Sequence, residues 1–303
     1  MTDINHNTVK IGDINIHYVE SGAEHQDLVL MLHGFPEFWY TWRKQLPVVG
    51  ESYHAVAPDM RGYNLSDKPD GIKSYRINHL MADMFGLAET LGYEKFYLVA
   101  HDWGAGVAWA MAIAHPERIK GLIILNGPHP YIFSELLSKN DTQIAQSQYM
   151  AYFRNEGIED EMLANGCEWL LKWTFETHLA SGQMTEDDKH AYQEAWTRPN
   201  ALKSMLNYYR ASPLTPATAE NKGKGFGLNP DDFGVKVPTL VMWGEKDHAL
   251  VPENLDGLDA LVPDLQIIRL PNVTHWVTQE APDIVSKEIL SFVDEQAGQS
   301  GAT

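Results

Sequence analysis

A single cysteine, Cys167, stands in a chain of 303 residues, so no intramolecular disulfide can hold this fold together. One thiol suits a reducing cytoplasm, and its simplest role is that of a small packed apolar side chain. Positive charge is also scarce. Against 23 Lys and Arg stand 41 Asp and Glu, for a formal net charge of −18. Nucleic acids and anionic membranes call for basic surface, so neither is an expected partner, and anionic substrates are disfavoured. No apolar run approaches the roughly 20 residues that a spanning helix needs. The N-terminal Met1-Thr2-Asp3-Ile4-Asn5-His6-Asn7 lacks the apolar stretch of a signal peptide. Internal repeats and low-complexity tracts are missing as well. What remains is a soluble, cytoplasmic globular chain, long enough for one large α/β domain or two smaller ones.

Apolar strands and amphipathic helices alternate along most of it. Residues Val9 to Val19 alternate around Gly12-Asp13 and predict a β-hairpin. Leu28-Val29-Leu30-Met31-Leu32 is continuously apolar, as befits a strand covered on both faces of a parallel sheet. Further strands are expected at His54 to Ala57, Phe96 to Ala100, Leu122 to Leu125, Leu240 to Trp243 and Leu265 to Leu270. Ile77, Leu80, Met81, Met84, Leu87, Ala88 and Leu91 form a helical stripe that ends at Gly92, and Val107 to Ala114 reads as another helix. This alternation predicts an α/β fold with helices on both faces of a mostly parallel sheet. It lapses between Pro130 and Gly234, where the chain is helix-like, rich in aromatics and methionine, and without a convincing strand. Pro213 to Pro230, dense in Pro, Gly, Thr and Asn, reads as a connecting loop. The expected organisation is a core of residues 1–130 and 234–303, with a helical cap (lid) and its connecting loop at 131–233. Such a cap sits over the C-terminal strand ends, where these sheets place their sites.

The most informative stretch is Ala100-His101-Asp102-Trp103-Gly104-Ala105-Gly106. An apolar strand enters a tight turn between small residues, a helix leaves it, and one reactive side chain occupies the tip. That is the nucleophile-elbow layout of α/β-hydrolases. Serine is the usual occupant. Here it is Asp102, whose carboxylate is ionised at neutral pH and needs no base to activate it. A carboxylate attacks saturated carbon by displacement and leaves an ester on the enzyme, which suits epoxides and alkyl halides. His33-Gly34-Phe35-Pro36 follows the strand Leu28 to Leu32. In this fold an N–H from that loop joins the N–H after the nucleophile in an oxyanion hole, which assigns the donors to Phe35 and Trp103. Read alone, the segment is also an ordinary strand-end turn.

Asp247 lies just beyond the strand Leu240 to Trp243, and His275 just beyond Leu265 to Leu270. Alone, Asp247 reads equally as a solvated loop acid and His275 as a structural histidine. The order nucleophile, acid, histidine, each on a loop after a strand, marks the three as a catalytic triad. Glu245 and His248 are the neighbouring alternatives.

HGFPEFWYTWRKQLP at His33 to Pro47, DMRGYNLSDKP at Asp59 to Pro69 and AHDWGAGVAWAMAIAHPERI at Ala100 to Ile119 resemble the soluble and microbial epoxide hydrolases. The resemblance extends through GEKDHALVP at Gly244 to Pro252 and THWVTQEAP at Thr274 to Pro282, covering nearly the whole chain. Ala100 departs from the family's usual glycine, and alanine is small enough for the elbow. The resemblance implies the α/β-hydrolase fold and two cap tyrosines that hold and protonate the epoxide oxygen. An alkoxide without a proton donor is a poor leaving group. These tyrosines fall on Tyr149 in Tyr149-Met150-Ala151-Tyr152-Phe153-Arg154 and on Tyr209 in Leu206-Asn207-Tyr208-Tyr209-Arg210, with Tyr152 and Tyr208 as near neighbours.

Haloalkane dehalogenases share the elbow and its tryptophan, but they carry a halide-binding Asn in an HGNP motif, where this chain has Phe35. Fluoroacetate dehalogenases resemble HDRGxR, and Trp103 and Gly106 replace the two arginines that grip their substrate. A ligand-binding receptor on the same fold would not require an intact nucleophile, acid and histidine. The expected reaction is hydrolysis of a neutral, largely apolar epoxide to its vicinal diol through an Asp102 ester. Tyr149 and Tyr209 would protonate the oxygen, and His275 with Asp247 would activate the water. Haloalkane dehalogenation by the same triad is the alternative. No cofactor or metal is expected, and the partners are an epoxide and water, in a monomer or homodimer. Trp169, Trp173, Trp196 and the cap methionines predict a hydrophobic pocket, or packing of the cap alone.

Overall fold

The continuously apolar runs become the central strands of one sheet. A computed structural model describes residues 3–300 of the chain. Among them, eight strands are β1 (Asn5–Ile11), β2 (Ile14–Ser21), β3 (Leu28–Leu32), β4 (His54–Pro58), β5 (Phe96–His101), β6 (Ile119–Leu125), β7 (Thr239–Gly244) and β8 (Leu265–Leu270). They lie in the order β1-β2-β4-β3-β5-β6-β7-β8. β1 and β2 pair antiparallel through the Gly12-Asp13 turn, and β2 runs antiparallel to β4. Every other pairing is parallel. This is the α/β architecture expected, a mostly parallel sheet with helices against it.

Burial follows place in the sheet. Every residue of β3, β4 and β5 is buried, whereas the edge strands β1 and β8 are largely exposed. Alternate residues of the central strands feed two separate apolar layers. Leu30, Leu32, Leu98 and Trp109 lie in one, and Val29, Met31, Val99 and Val285 in the other. Several strand ends move by one to three residues from the sequence pattern, and two boundaries move further. The hairpin begins at Asn5 rather than Val9, because an edge strand tolerates the polar run Asn5-His6-Asn7-Thr8. The helix after the elbow begins at Trp103 rather than Val107. Glycine is a weak helix former, so Gly104 and Gly106 hide the first turn from a propensity reading.

Gly104 has a tertiary reason to be there. A Cβ at this position would lie 2.6 Å from the carbonyl oxygens of both Leu32 and His33, so the helix start presses directly on the end of β3.

Between β6 and β7 the described chain forms the helices Pro130–Lys139, Asp141–Gln146, Gln148–Tyr152, Ile158–Ala180, Glu186–Thr197 and Ala201–Ala211, and no strand. Ile158–Ala180 is interrupted at residues 164–167, where Asn165, Gly166 and Cys167 are left-handed. Cys167 is a buried free thiol there, and burial pushes its pKa up to about 11. Polar contacts dock these helices on the sheet domain. The Trp196 indole donates to the Pro36 carbonyl (2.6 Å), the Tyr208 hydroxyl donates to the Arg61 carbonyl (2.8 Å), and Arg43 pairs with Asp188 (2.8 Å). Among the described residues, no helix is long and apolar enough to cross a membrane.

Gly104→Ala would have to push the helix away from the end of β3. Overpacking of this kind costs about 1–3 kcal/mol, so thermal unfolding of the variant should show a clearly lower Tm. An unchanged Tm would mean that the contact is loose.

Candidate active site

The C-terminal ends of β5, β7 and β8 bring three distant residues to one point. Asp102 follows β5 and caps the helix Trp103–Ala114 with φ +50° and ψ −119°. This backbone is unfavourable for a residue with a side chain, at about 1–3 kcal/mol, and persists only where the surroundings over-determine it. They do. A Cβ on Gly34 would fall 2.3 Å from the Cβ of Asp102, and the Phe35 N–H donates to Asp102 Oδ1 at 2.6 Å. Trp103 is the first helical residue, where N–H groups lack intrahelical partners.

On the other side of Asp102, Oδ2 lies 3.6 Å from His275 Nε2. The opposite ring nitrogen, Nδ1, lies 2.7 Å from Asp247 Oδ2. Asp247 is itself clamped, accepting from Asn126 Nδ2 (2.8 Å) and from the amides of Ala249 (2.7 Å) and Leu250 (3.0 Å). Burial alone would raise the Asp102 carboxyl, but the close His275, with His101 and the Phe35 N–H bond, outweighs it and holds the pKa below its ordinary 3.8. The same balance, with help from Asn126, lowers Asp247. Burial works against a charged His275, yet the two carboxylates push its pKa well above 6.5. These shifts favour a charged His275 between two carboxylates, with Asp247 buried and Asp102 and His275 partly buried at the cavity wall.

Several supporting residues escape a reading of sequence order. Beneath Asp102, buried Glu37 and His101 pair at 2.8 Å, and His101 Nε2 reaches the carbonyl of His275 at 2.9 Å. Burial would raise Glu37, but His101 and Thr41 hold it below the usual range. Asn126, immediately after β6, grips both Asp247 and the backbone of Gly244. The available signals were thin. His101 precedes the nucleophile, Glu37 lies inside the HGFPE segment, and Asn126 ends an apolar strand.

Tyr149 on Gln148–Tyr152 and Tyr209 on Ala201–Ala211 stand with ring centroids 6.0 Å apart. Both line the two cavities that Asp102 also lines. Their neighbours are engaged elsewhere, Tyr152 donating to Glu161 (3.0 Å) and Tyr208 to the Arg61 carbonyl (2.8 Å). Burial, followed by the nearby negative charges of Asp102 and Asp247, raises Tyr149 above the ordinary phenol value of 10. Tyr209 is raised likewise by burial, Tyr149 and Asp102, so both phenols are neutral. Of the alternative residues, Glu245 pairs outward with Arg269 (3.1 Å), and His248 is exposed at the rim of the larger cavity.

The smaller cavity, about 100 Å³, is walled by Phe133, Met150, Leu214 and Leu250. The larger, about 620 Å³, runs past Trp173 and His275 to Thr274, His178 and Glu280. Only one of the three tryptophans expected around a pocket lines a cavity. Trp173 does so, Trp169 stacks behind it at 5.9 Å, and Trp196 is buried against the core. Among the described residues, no group of three or more His, Cys, Asp or Glu could hold a metal ion.

A family model described as the alpha/beta hydrolase fold matches residues 27–282. The chain belongs to the α/β-hydrolase fold family. It is 34% identical to Epoxide hydrolase 4 of Homo sapiens over 295 residues, which span 95% of this chain and 78% of that one. A crystal structure of Bacillus megaterium epoxide hydrolase in complex with an inhibitor superposes with a TM-score of 0.88 at 36% identity, covering 95% of this chain and all (100%) of that one. A mutant of the Bacillus megaterium enzyme complexed with its product, (R)-3-[1]naphthyloxy-propane-1,2-diol, gives 0.87 at the same 36% identity and the same 95% and 100% coverage. These relatives place the chain among the epoxide hydrolases of that family.

Because Asp102 is held below its ordinary 3.8, its carboxylate stays available well into the acid range. Covalent capture of Asp102 by an electrophile should keep a constant rate as pH falls from about 7 to 5. Intact-mass spectrometry on quenched samples gives that rate. An acid limb centred within this interval would contradict the charge arrangement.

Proposed function

We propose that this protein hydrolyses a neutral, largely apolar epoxide to its vicinal diol through an ester on Asp102. The observation that carries the reading is the convergence of Tyr149 and Tyr209 on the cavities lined by Asp102, with the hydroxyls of Tyr152 and Tyr208 turned to other partners. In this reading residues 131–233 act as a cap over a core of residues 1–130 and 234–303, and the cap supplies the proton donors. Phe35 packs its ring against Phe153 and Tyr209, at 5.1 and 5.3 Å between centroids, and brings no side-chain amide to a departing halide. That favours epoxides over haloalkanes. The larger cavity lies in the range usual for small-molecule sites, about 300–1,000 Å³, and Trp173 gives it an aromatic wall. An aryl ether diol is the product bound by the Bacillus megaterium relative, and a substituent of that kind suits this cavity. The single buried thiol and the net charge of −18 fit a cytoplasmic enzyme.

In the first step Asp102 Oδ2 attacks an epoxide carbon, the C–O bond breaks, and a tyrosine proton passes to the alkoxide. Esterification removes the charge of Asp102, which helps to raise His275, Tyr149 and Tyr209. Its disappearance lowers all three pKa values together. The phenols become better acids as the alkoxide develops. The imidazolium then yields its proton, restoring the phenol and leaving His275 as the neutral base. In the second step His275, oriented by Asp247, deprotonates a water that attacks the ester carbonyl. The Phe35 and Trp103 N–H groups stabilise the oxyanion that forms on Oδ1. The intermediate collapses, its new hydroxyl passes its proton to the departing alkoxide oxygen, and as the diol leaves the carboxylate and the imidazolium return.

A single turnover in H₂¹⁸O should place label in the Asp102 carboxylate and leave the first diol unlabelled. His275→Gln should form the adduct and stall. Label in the first diol would refute the covalent route.

The tyrosine pair has its own test. General acid catalysis is worth about 10²–10⁴-fold, so Tyr149→Phe with Tyr209→Phe should nearly abolish epoxide opening. Alkylation by an alkyl halide, whose leaving group needs no proton, should fall far less. A double variant that retains its epoxide turnover would remove the tyrosines from the mechanism.

A further inference from the structure

Glu280 takes no part in either step, yet three donors converge on its carboxylate at the wall of the larger cavity. Its side chain is only 9% exposed. Oε1 accepts from His178 Nε2 at 2.6 Å and from the Thr274 hydroxyl, while Oε2 accepts the Thr274 N–H at 2.7 Å. Thr274 immediately precedes His275, and the His275 carbonyl is held from the other side by His101. His178 belongs to the inserted helix Ile158–Ala180, whereas Glu280 ends the short helix Val277–Glu280 of the sheet domain. One carboxylate thus ties the turn that carries the base to the helices that cover it. Burial would raise its pKa, but the bonds from His178 and Thr274 overcome that and keep Glu280 below its ordinary 4.5.

We infer that Glu280 is a positioning residue for the second step, and that through His178 it makes the placement of His275 depend on the docked insertion. The inference rests on the two-step reading above. The two steps make unequal demands on His275. Ester formation needs Asp102, which the elbow and the Phe35 N–H place without help from the Thr274-His275 turn. Hydrolysis needs His275 within hydrogen-bonding reach of a water that also faces the ester. In the resting site its Nε2 already stands 3.6 Å from Asp102, so the turn has little latitude.

The test is a rapid-quench and stopped-flow comparison on the full chain, reading ester formation and ester hydrolysis separately. Glu280→Ala should leave ester formation within about threefold and slow hydrolysis by about 10–100-fold, so that adduct accumulates at steady state. Glu280→Gln keeps an acceptor for the Thr274 N–H and can donate to a neutral His178, and it should recover most of the lost rate. His178→Ala should slow hydrolysis in the same sense, through the contact with the insertion. If Glu280→Ala fails to fold, Thr274→Val, which deletes only the hydroxyl bond, reads the same ratio. Equal slowing of both steps would show a merely structural role and overturn the inference, as would unaltered hydrolysis. A wild-type protein that forms no Asp102 ester overturns the two-step mechanism itself, and that outcome is visible before any variant is made.

Discussion

One imidazole between two carboxylates, Asp247 buried and Asp102 partly so, governs this molecule. Asp102 and Asp247 can both remain ionised in a desolvated pocket because His275 lies between them, and His275 remains charged because they flank it. Without that cation, burial and their mutual repulsion would raise the pKa of both carboxylates. The arrangement also stores the switch between the two proposed steps. A neutral ester on Asp102 changes the field at the histidine and both phenols in a single event. No conformational change is needed to turn a resting cation into a base.

Such an arrangement demands accuracy from the backbone beneath it, and most of that accuracy comes from small residues. Gly34 lets the loop after β3 touch Asp102, and Gly104 lets the helix start touch β3. Gly127 serves the same end further along, since a Cβ there would stand 2.0 Å from the Cβ of Ala105. Beneath these contacts the Glu37–His101 pair replaces what would otherwise be an apolar floor. Removing one partner of a buried pair typically costs about 3–5 kcal/mol, because the other is left buried and uncompensated.

The fold and the three residues that converge, Asp102, Asp247 and His275, were legible because their signals are local or ordered. Continuous apolar runs marked β3 to β7, and a carboxylate between small residues marked the elbow. What the sequence hid was of two kinds. The first turn of the helix after Asp102 contains two glycines, and a local rule reads them as breakers although tertiary contact requires one of them. Polar residues that join distant segments were also silent. Asn126 meets Asp247 across 121 positions and His178 meets Glu280 across 102, and nothing along the chain announces either contact. The tyrosine pair shows the same limit. A resemblance located two YxxY- and YY-type segments, but only the helix orientations separate Tyr149 from Tyr152 and Tyr209 from Tyr208.

The site is also divided between two parts of the chain. Asp102, Asp247, His275 and the Phe35 amide belong to the sheet domain, and Tyr149 and Tyr209 belong to the helices inserted between β6 and β7. On the proposed mechanism, the groups that would make and cleave the ester thus come from a different stretch of chain than the groups that would receive the leaving group. If that mechanism holds, an insertion of different sequence on the same core would alter which bonds to carbon are broken and leave the turnover of the ester the same. The scaffold is modular at the level of a single reaction, with its seam running through the active site.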